Sequence, residues 1–185
     1  MLEEVFQSMN TAVEKSRDAL KQSLSRIRTG RANAAMLDPV RVDYYGTRTP
    51  LNQLATISTP EPRMLLVKPF DRTAVSAIEK AIQAADLGLN PTSDGDLIRI
   101  PVPALTEERR KEMVKLVRKT GEEGKVVVRN HRRDGNEAIK KLETASDISK
   151  DEAARALKQM QDITDEAIAE VDKLVKAKED EVTEI

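Results

Sequence analysis

Apolar positions recur every three or four residues over the first part of the chain, which predicts an amphipathic helix of roughly seven turns. The stripe runs from Leu2 to Ile27, with Ser16 filling one gap. Thr29 and Gly30 follow it, and glycine is the residue that best tolerates the left-handed conformation that closes a helix. We therefore predict that a first helix ends near Gly30, at a corner rich in arginine.

From Pro39 to Val102 the pattern changes to short alternating runs interrupted by proline and glycine, which is typical of β-strands. One helix interrupts the strands: Asp71 precedes its apolar stripe as an N-cap, and Gly88 follows as its C-terminal stop. Residues 92–95 have a turn-like composition. This segment therefore predicts a small α/β unit, with strands at 40–45, 57–59, 63–68 and 97–102.

The helical pattern resumes after Thr106, a predicted N-cap, and continues beyond residue 140. Each of three glycines within it disfavours a helix by about 1 kcal/mol relative to alanine, so we expect close helix approach, a bend or local softness there, and a break is also possible. These glycines are Gly121, Gly124 and Gly135. Ser149 and Glu152 then form a capping box that opens a last helix. Three long helices joined around an insert predict an α+β fold. It consists of a long antiparallel three-helix bundle with an inserted small β/α/β domain.

The bundle is predicted to contain residues 1–30 and 105–185, and the insert residues 31–104. Two linkers, 29–33 and 101–105, tie the insert to the same bundle, so we expect them to lie side by side. Paired linkers of this kind permit hinge motion between domains. The predicted hinge residues are Thr29, Gly30, Arg31, Pro103, Ala104 and Leu105.

Composition limits the chemistry that this chain can perform. It has no Cys and a single His, which excludes thiolate metal sites, the usual zinc sites and histidine-based catalytic triads. No P-loop, dinucleotide-binding fingerprint or nucleophile elbow is present. We therefore assign no catalytic residue, no metal ligand and no cofactor. Aromatic residues make up 2% of the chain, too few for a base-stacking platform.

The first residues and the hydropathy pattern favour neither membrane insertion nor export. The first residues, MLEEVFQSMN, lack the basic segment of a signal peptide and the arginine-rich pattern of a transit peptide. No apolar run approaches the ~20 residues needed to cross a bilayer. We expect a cytoplasmic monomer that has no membrane partner.

Positive charge is concentrated locally although the formal net charge is only −1. Arg129, Arg132 and Arg133 share one helix face, which Lys125 and Arg118 extend. Guanidinium groups match phosphate geometry, and a ridge of them fits the backbone of structured RNA. The alternative is a solvated face neutralised by nearby acidic residues. The second arginine cluster, in the segment RIRTGR, favours binding.

His131 falls on the apolar side of the same helix, and the expected role is a packed, hydrogen-bonded side chain. Tyr44 and Tyr45 are adjacent in a predicted strand, so one of them should be in the core and the other exposed.

Four segments resemble the bacterial ribosome-recycling factor family, in order and over the whole chain: SRIRTGRANAAMLD, VDYYGTRTPLNQLA, AIEKAIQAADLGLNPTSDGDLIRIPVPALTEERRKEMVK and VVVRNHRRD. The resemblance implies an L-shaped molecule and a translation factor without enzymatic activity of its own. Such factors bind the post-termination ribosome and, with elongation factor G hydrolysing GTP, separate its subunits. The residues that this resemblance places against large-subunit rRNA are Arg28, Gly30, Arg31, Arg129, Arg132 and Arg133.

The middle helix departs from the family pattern by carrying His131 and Gly135, which we expect to soften the helix without altering its arginine face. Other interpretations remain at this stage. A generic RNA-binding or RNA-chaperone bundle would carry the same basic ridge, and an organelle-type homologue would share the motifs. An enzyme that uses a pair of carboxylates in the insert is the third alternative.

Overall fold

The computed structural model describes residues 1–184, which contain four α-helices and six strands. The helices are α1 (Leu2–Ser25), α2 (Val75–Ala84), α3 (Glu107–Thr144) and α4 (Lys150–Thr183). The strands are β1 (Arg41–Tyr44), β2 (Thr47–Pro50), β3 (Ala55–Glu61), β4 (Met64–Pro69), β5 (Thr92–Asp94) and β6 (Leu97–Pro101). The chain divides into two compact units: residues 1–27 together with the chain from Lys111 onward, and residues 28–110. The predicted α+β fold is confirmed.

Helices α1, α3 and α4 pack around two clusters of buried apolar side chains. Ser16 of α1 contacts His131 of α3, whereas Leu20 lies beside Gly124, so α3 runs antiparallel to α1. The first cluster contains Leu20, Leu24, Ile27, Val117, Val171 and Val182. The second contains Met9, Ile139, Ala153, Ala156 and Met160. Early and late residues of α1 therefore pack with early and late residues of α4, so these two helices run in the same direction.

The first helix ends earlier than the apolar stripe predicts. It ends at Ser25, with Arg26 as its C-cap, whereas Gly30 adopts the expected positive φ of 78° in the following segment. The stripe misled the prediction because Ile27 is buried in the bundle core although it lies beyond the helix. Burial continues the apolar pattern after the helical backbone has stopped.

Helix α3 is continuous, so the predicted possibility of a break is wrong. Its glycines instead mark places where neighbouring side chains come close. A Cβ at Gly121 would lie 2.3 Å from Cγ2 of Val175, and one at Gly135 would lie 2.6 Å from Cε of Met160. Close helix approach, one of the predicted explanations, is confirmed.

Both predicted N-caps of the long helices are confirmed. The backbone N–H of Arg109 donates to Oγ1 of Thr106 at 3.3 Å. At the start of α4 the N–H of Glu152 donates to Ser149 Oγ at 3.1 Å, and the N–H of Ser149 donates to a carboxylate oxygen of Glu152 at 2.7 Å. These reciprocal bonds form the predicted capping box.

The 28–110 unit contains a four-stranded antiparallel sheet in the order β3-β4-β6-β5 and a separate β1–β2 hairpin. Helix α2 covers the sheet and supplies Ile78 and Ile82 to the core. Asp71 caps a 3₁₀ turn, Arg72–Ala74, that leads into α2, and Gly88 has a φ of 68° in the loop that follows it. Tyr44 is half-buried and Tyr45 is exposed, as the alternation predicted.

The sequence pattern missed two strands and shortened a third. Strand β5 was predicted as a turn, because its three residues are polar, exposed and at the edge of the sheet, so they show no alternation. Strand β2 is similarly exposed over its first half and lies outside the main sheet. Strand β3 extends through Pro60, which an edge strand tolerates, and it carries an irregularity between Ser58 and Glu61.

Among the described residues, no helix combines the length and the apolar character required to cross a membrane.

Candidate nucleic-acid interface

Three arginines project from one face of α3, in the half of the helix that leads toward α4. Arg129 and Arg133 are exposed and Arg132 is half-buried. Arg132 donates from Nη1 to Oε1 of Gln161 on α4 at 3.1 Å, which orients its guanidinium group. Arg133 donates to Oδ1 of Asn130, one turn earlier, at 3.2 Å. Together these side chains line a shallow depression of about 470 Å³ on the helix surface.

None of these three arginines has a carboxylate within 4 Å in residues 1–184. The acidic residue at the edge of the depression is Glu137, and its carboxylate is bound by Lys141 at 3.0 Å. That hydrogen bond lowers the pKa of Glu137 below its usual value, and the more distant charge of Arg133 contributes less. The three guanidinium groups therefore present positive charge that no carboxylate of the described chain offsets by direct contact.

Two other cations of α3 have a different environment. Nε of Arg118 lies 2.6 Å from a carboxylate oxygen of Glu179, and Nζ of Lys125 lies 2.6 Å from one of Asp172. These carboxylates belong to α4, so both pairs join the two helices. The hydrogen bonds raise the pKa of both cations, that of Lys125 in spite of its burial.

Lys125 also contacts Glu122 at 3.2 Å, and its side chain is only 17% exposed. It is thus placed on the basic ridge by its position in the sequence, yet its charge is already compensated. For Lys125 this agrees with the alternative of neutralisation by acidic residues: Glu122 lies one turn earlier on α3, and Asp172 lies on α4.

His131 is half-buried between α1 and α3, where its Nε2 lies 2.9 Å from Oγ of Ser16. Ser16 donates its own proton to the carbonyl of Ala12 at 2.8 Å. Ser16 Oγ is therefore free to accept from the imidazole N–H. The prediction of a packed, hydrogen-bonded histidine is confirmed, and the bond explains how a polar residue occupies this position of the stripe.

The part of the arginine-rich corner from Arg28 onward lies in the 28–110 unit. Thr29 is buried and its Oγ1 accepts a hydrogen bond from the N–H of Arg31 at 3.3 Å. The exposed Arg28 donates a hydrogen bond to the carbonyl of Leu87. Gly30 lies against Leu105, to which a Cβ at position 30 would approach within 3.6 Å. Pro103 and Ala104 are exposed.

The structure therefore groups the predicted binding residues into two sets. Arg129, Arg132 and Arg133 form one set on α3, in the bundle unit. Arg28, Gly30 and Arg31 form the other, in the 28–110 unit. The pairing of Gly30 with Leu105 brings the two predicted linkers together, as their shared connection to the bundle required.

Comparison with known proteins gives a consistent result over the whole chain. A family model described as "Ribosome recycling factor" matches residues 20–182. The ribosome-recycling factor of Sorangium cellulosum is 54% identical over 185 residues, that of Brevibacillus brevis 55% and that of Bacillus subtilis 52%. Each of these alignments covers 100% of both chains.

Solved structures show the same similarity. A solution structure of the ribosome recycling factor has a TM-score of 0.77 and 43% identity, covering 100% of this chain and 98% of the other. A second match has a TM-score of 0.70 and 47% identity over 98% of both chains. It comes from models for the T. thermophilus ribosome recycling factor and the E. coli elongation factor G bound to the E. coli post-termination complex. With this similarity across its full length, the chain belongs to the ribosome recycling factor family.

Proposed function

We propose that this chain separates post-termination ribosomes into subunits, acting together with elongation factor G and GTP. Family membership supports the proposal, and a similar factor has been placed with elongation factor G on a post-termination complex. The nucleotide chemistry belongs to the GTPase in this scheme. The recycling factor contributes an anchor on the ribosome and a body on which the GTPase acts.

The observation that carries the proposal is the contrast between paired and unpaired cations on α3. Arg129, Arg132 and Arg133 have no carboxylate partner within the described chain, whereas Arg118 and Lys125 are each paired with α4. Positive charge without an internal partner attracts an external anion, and arginine binds phosphate oxygens in bidentate geometry. The proposed ligand of the three arginines is the phosphate backbone of large-subunit rRNA.

The remaining predicted residues have secondary roles in the proposal. Arg28, Gly30 and Arg31 form a second contact region, in which the glycine keeps the backbone accessible. Lys125 contributes mainly through the general field of the ridge, because Asp172 and Glu122 already neutralise it at short range.

The insert is proposed to act as a lever that the GTPase pushes. In this scheme residues 1–30 and 105–185 form the anchor, residues 31–104 form the lever, and the linkers 29–33 and 101–105 form the hinge between them. The proposed factor is a monomer, because one anchor and one lever are enough to transmit the force. Its proposed location is the cytoplasm, together with its ribosomal partner.

The proposal is tested by light scattering of post-termination ribosomes. Addition of this protein, elongation factor G and GTP is expected to lower the scattering as 70S particles separate, and omission of any one component should abolish the change. A scattering signal that stays constant with all three present would contradict the proposed function.

A generic RNA-binding bundle is distinguished in the same experiment series. Such a protein would bind free structured RNA as tightly as ribosomes, and its effect would not depend on elongation factor G. A recycling factor is expected to bind ribosomes in preference to free RNA and to require the GTPase for activity.

A further inference from the structure

A carboxylate that could neutralise part of the arginine surface lies at the edge of its depression. Glu137 is exposed and lines the depression together with the three arginines. Residues three or four positions apart on a helix are neighbours, so three cations are within its reach: Arg133, Lys140 and Lys141. Arg133 and Lys140 also line the depression, whereas Lys141 does not. The partner of Glu137 therefore decides how much positive charge the depression keeps.

Glu137 is paired with the cation that lies outside the depression. Nζ of Lys141 is 3.0 Å from Oε1 of Glu137. A glutamate four residues before a lysine is the favourable order along a helix, and the reverse order, with Arg133 four residues before Glu137, is weaker. The hydrogen bond from Lys141 is also the main reason that the pKa of Glu137 lies below its usual value, and the charge of Arg133 contributes less.

The side chain of Arg133 is directed away from Glu137. Its Nη2 donates to Oδ1 of Asn130 at 3.2 Å, one turn toward the start of α3, whereas Glu137 lies one turn toward the end of the helix. Asn130 is neutral, so this bond holds the guanidinium group without offsetting its charge. Within residues 1–184, no carboxylate lies within 4 Å of Arg133 or of Lys140. Both cations thus remain uncompensated although the carboxylate of Glu137 is one turn away.

We propose that Lys141 is a positioning residue that holds the Glu137 carboxylate away from the depression and so leaves Arg133 and Lys140 available for phosphate. Without Lys141 the carboxylate would turn to one of these two cations, which are its other neighbours on the helix. A phosphate would then compete with an internal carboxylate for the same donors. The consequence for rRNA rests on the proposed function, but the pairing of Glu137 is a property of the free protein.

The pairing is tested by NMR titration of the Glu137 carboxyl group in the free, full-length chain. In Lys141→Ala its pKa should stay below the usual value of 4.5, because Arg133 or Lys140 replaces the lost partner. Adding Arg133→Ala and Lys140→Ala to that variant should raise the pKa to about the usual value. The proposal is overturned if Lys141→Ala alone raises the pKa to that value, or if the triple variant leaves it lowered.

Binding to the large ribosomal subunit at low salt tests the consequence for the depression. Lys141→Ala is expected to weaken binding about 1.5-fold to 5-fold, the size of effect that an exposed ion pair supports. In a Glu137→Gln background the same substitution should have no effect, because no carboxylate is left to turn toward the depression. An equal loss in both backgrounds would mean that Lys141 contacts the RNA directly, and it would overturn the proposal.

Lys176→Ala is the matched control, because Lys176 pairs with Asp180, four residues later on α4, and its side chain is 77% exposed against 75% for Lys141. It should leave binding unchanged. Weakening equal to that of Lys141→Ala would reveal a general charge effect and would also overturn the proposal. If the proposed function itself fails, Arg132→Ala will leave subunit binding unchanged too, whereas the Glu137 titration needs no ribosome and still reports which cation Glu137 binds.

Discussion

Arginine and lysine side chains on one helix differ in function according to whether a carboxylate lies within reach. Along α3, Arg118 and Lys125 hold α4 through ion pairs of 2.6 Å, and they therefore contribute little net charge to the surface around them. Arg132 is held instead by the neutral amide of Gln161. That hydrogen bond fixes the side chain without neutralising it, which would preorganise the guanidinium group for the proposed phosphate contact.

We predict that Arg132→Ala weakens binding to the large ribosomal subunit and lowers the slope of log K against log salt by about one unit, because one phosphate contact is lost. The measurement is a binding titration at several salt concentrations. Arg118→Ala is the control, since it removes the same charge from the same helix at a site paired with Glu179. Equal slopes for the unmodified protein and Arg132→Ala would exclude a phosphate contact at this residue.

The glycines of α3 permit a prediction about stability. In Gly121→Ala the new Cβ would lie 2.3 Å from Cγ2 of Val175, a branched side chain with little freedom to move. We expect overpacking to cost about 1–3 kcal/mol against a gain of about 1 kcal/mol in helix propensity, so the net change is a loss of up to about 2 kcal/mol. The measurement is the free energy of unfolding in urea.

Gly124→Ala is the matched control, because its Cβ would lie 3.4 Å from the Leu20 methyl groups and needs little rearrangement. It should stabilise the protein by up to about 1 kcal/mol. Gly135→Ala should fall between the two, since the 2.6 Å approach is to the flexible end of Met160. Similar free energies for all three variants would show that these distances do not control the packing.

At the residue scale, periodicity in the sequence predicts which face of a helix a side chain occupies, but it does not predict which residue that side chain contacts. The spacing of Arg129, Arg132 and Arg133 was sufficient to place them on one face, and the position of His131 was sufficient to place it inside. The ion pair of Lys125 with Asp172 and the contact of Arg28 with Leu87 both depend on residues distant in sequence. A single sequence contains no local signal for such pairs.

At the scale of elements, the start of α4 depends on a titratable group. The N–H of Ser149 donates to Glu152, and this backbone hydrogen bond is the main reason that the pKa of the carboxyl group lies below its usual value of 4.5. A carboxylate with a lowered pKa stabilises the folded state above its unfolded pKa, and this contribution is lost as pH falls through the folded value. Acidification below about pH 4.5 should therefore weaken the cap.

We predict that Glu152→Gln reduces the loss of stability on acidification, because glutamine has no charge to lose. Unfolding free energies measured above and below the ordinary glutamate pKa should differ less in this variant than in the unmodified protein. Glu166→Gln, an exposed position farther along α4, is the control and should not alter the difference. If Glu152→Gln loses as much unfolding free energy on acidification as the unmodified protein, protonation of the Glu152 cap is not the cause of that loss.

Helices were easier to predict than strands in this chain, for a physical reason. The long helices have one face against a core, so their period is repeated many times, and their caps at Thr106 and Ser149 use local chemistry. Strands β2 and β5 are three or four residues long and largely exposed, so neither period nor burial marks them. The early end of α1 was missed because burial of Ile27 continued the pattern beyond the helix.

At the scale of the whole molecule, each unit has a core of its own. The bundle clusters draw their buried residues from Met9–Ile27 and from the chain beyond Lys111, whereas the insert core lies between Leu37 and Val102. Among the described residues, no buried side chain belongs to more than one of these clusters. Changes in the two segments that connect the units should therefore alter the coupling between the units while leaving each unit folded.

We predict that inserting Gly-Ser after Ile27 and again after Leu105 abolishes ribosome splitting while binding is retained. The added residues cost little folding free energy, since doubling the length of a flexible loop costs only about 0.6 kcal/mol. They do, however, make the joint flexible, so a push on the insert no longer reaches the anchor. Binding is measured by cosedimentation with ribosomes and splitting by light scattering with elongation factor G and GTP.

A variant with the insertion in only one of the two connections should retain part of the splitting activity, because the other linker still transmits force. Parallel loss of binding and splitting in the double insertion would mean that the linkers serve attachment, and unimpaired splitting would mean that no force passes through them.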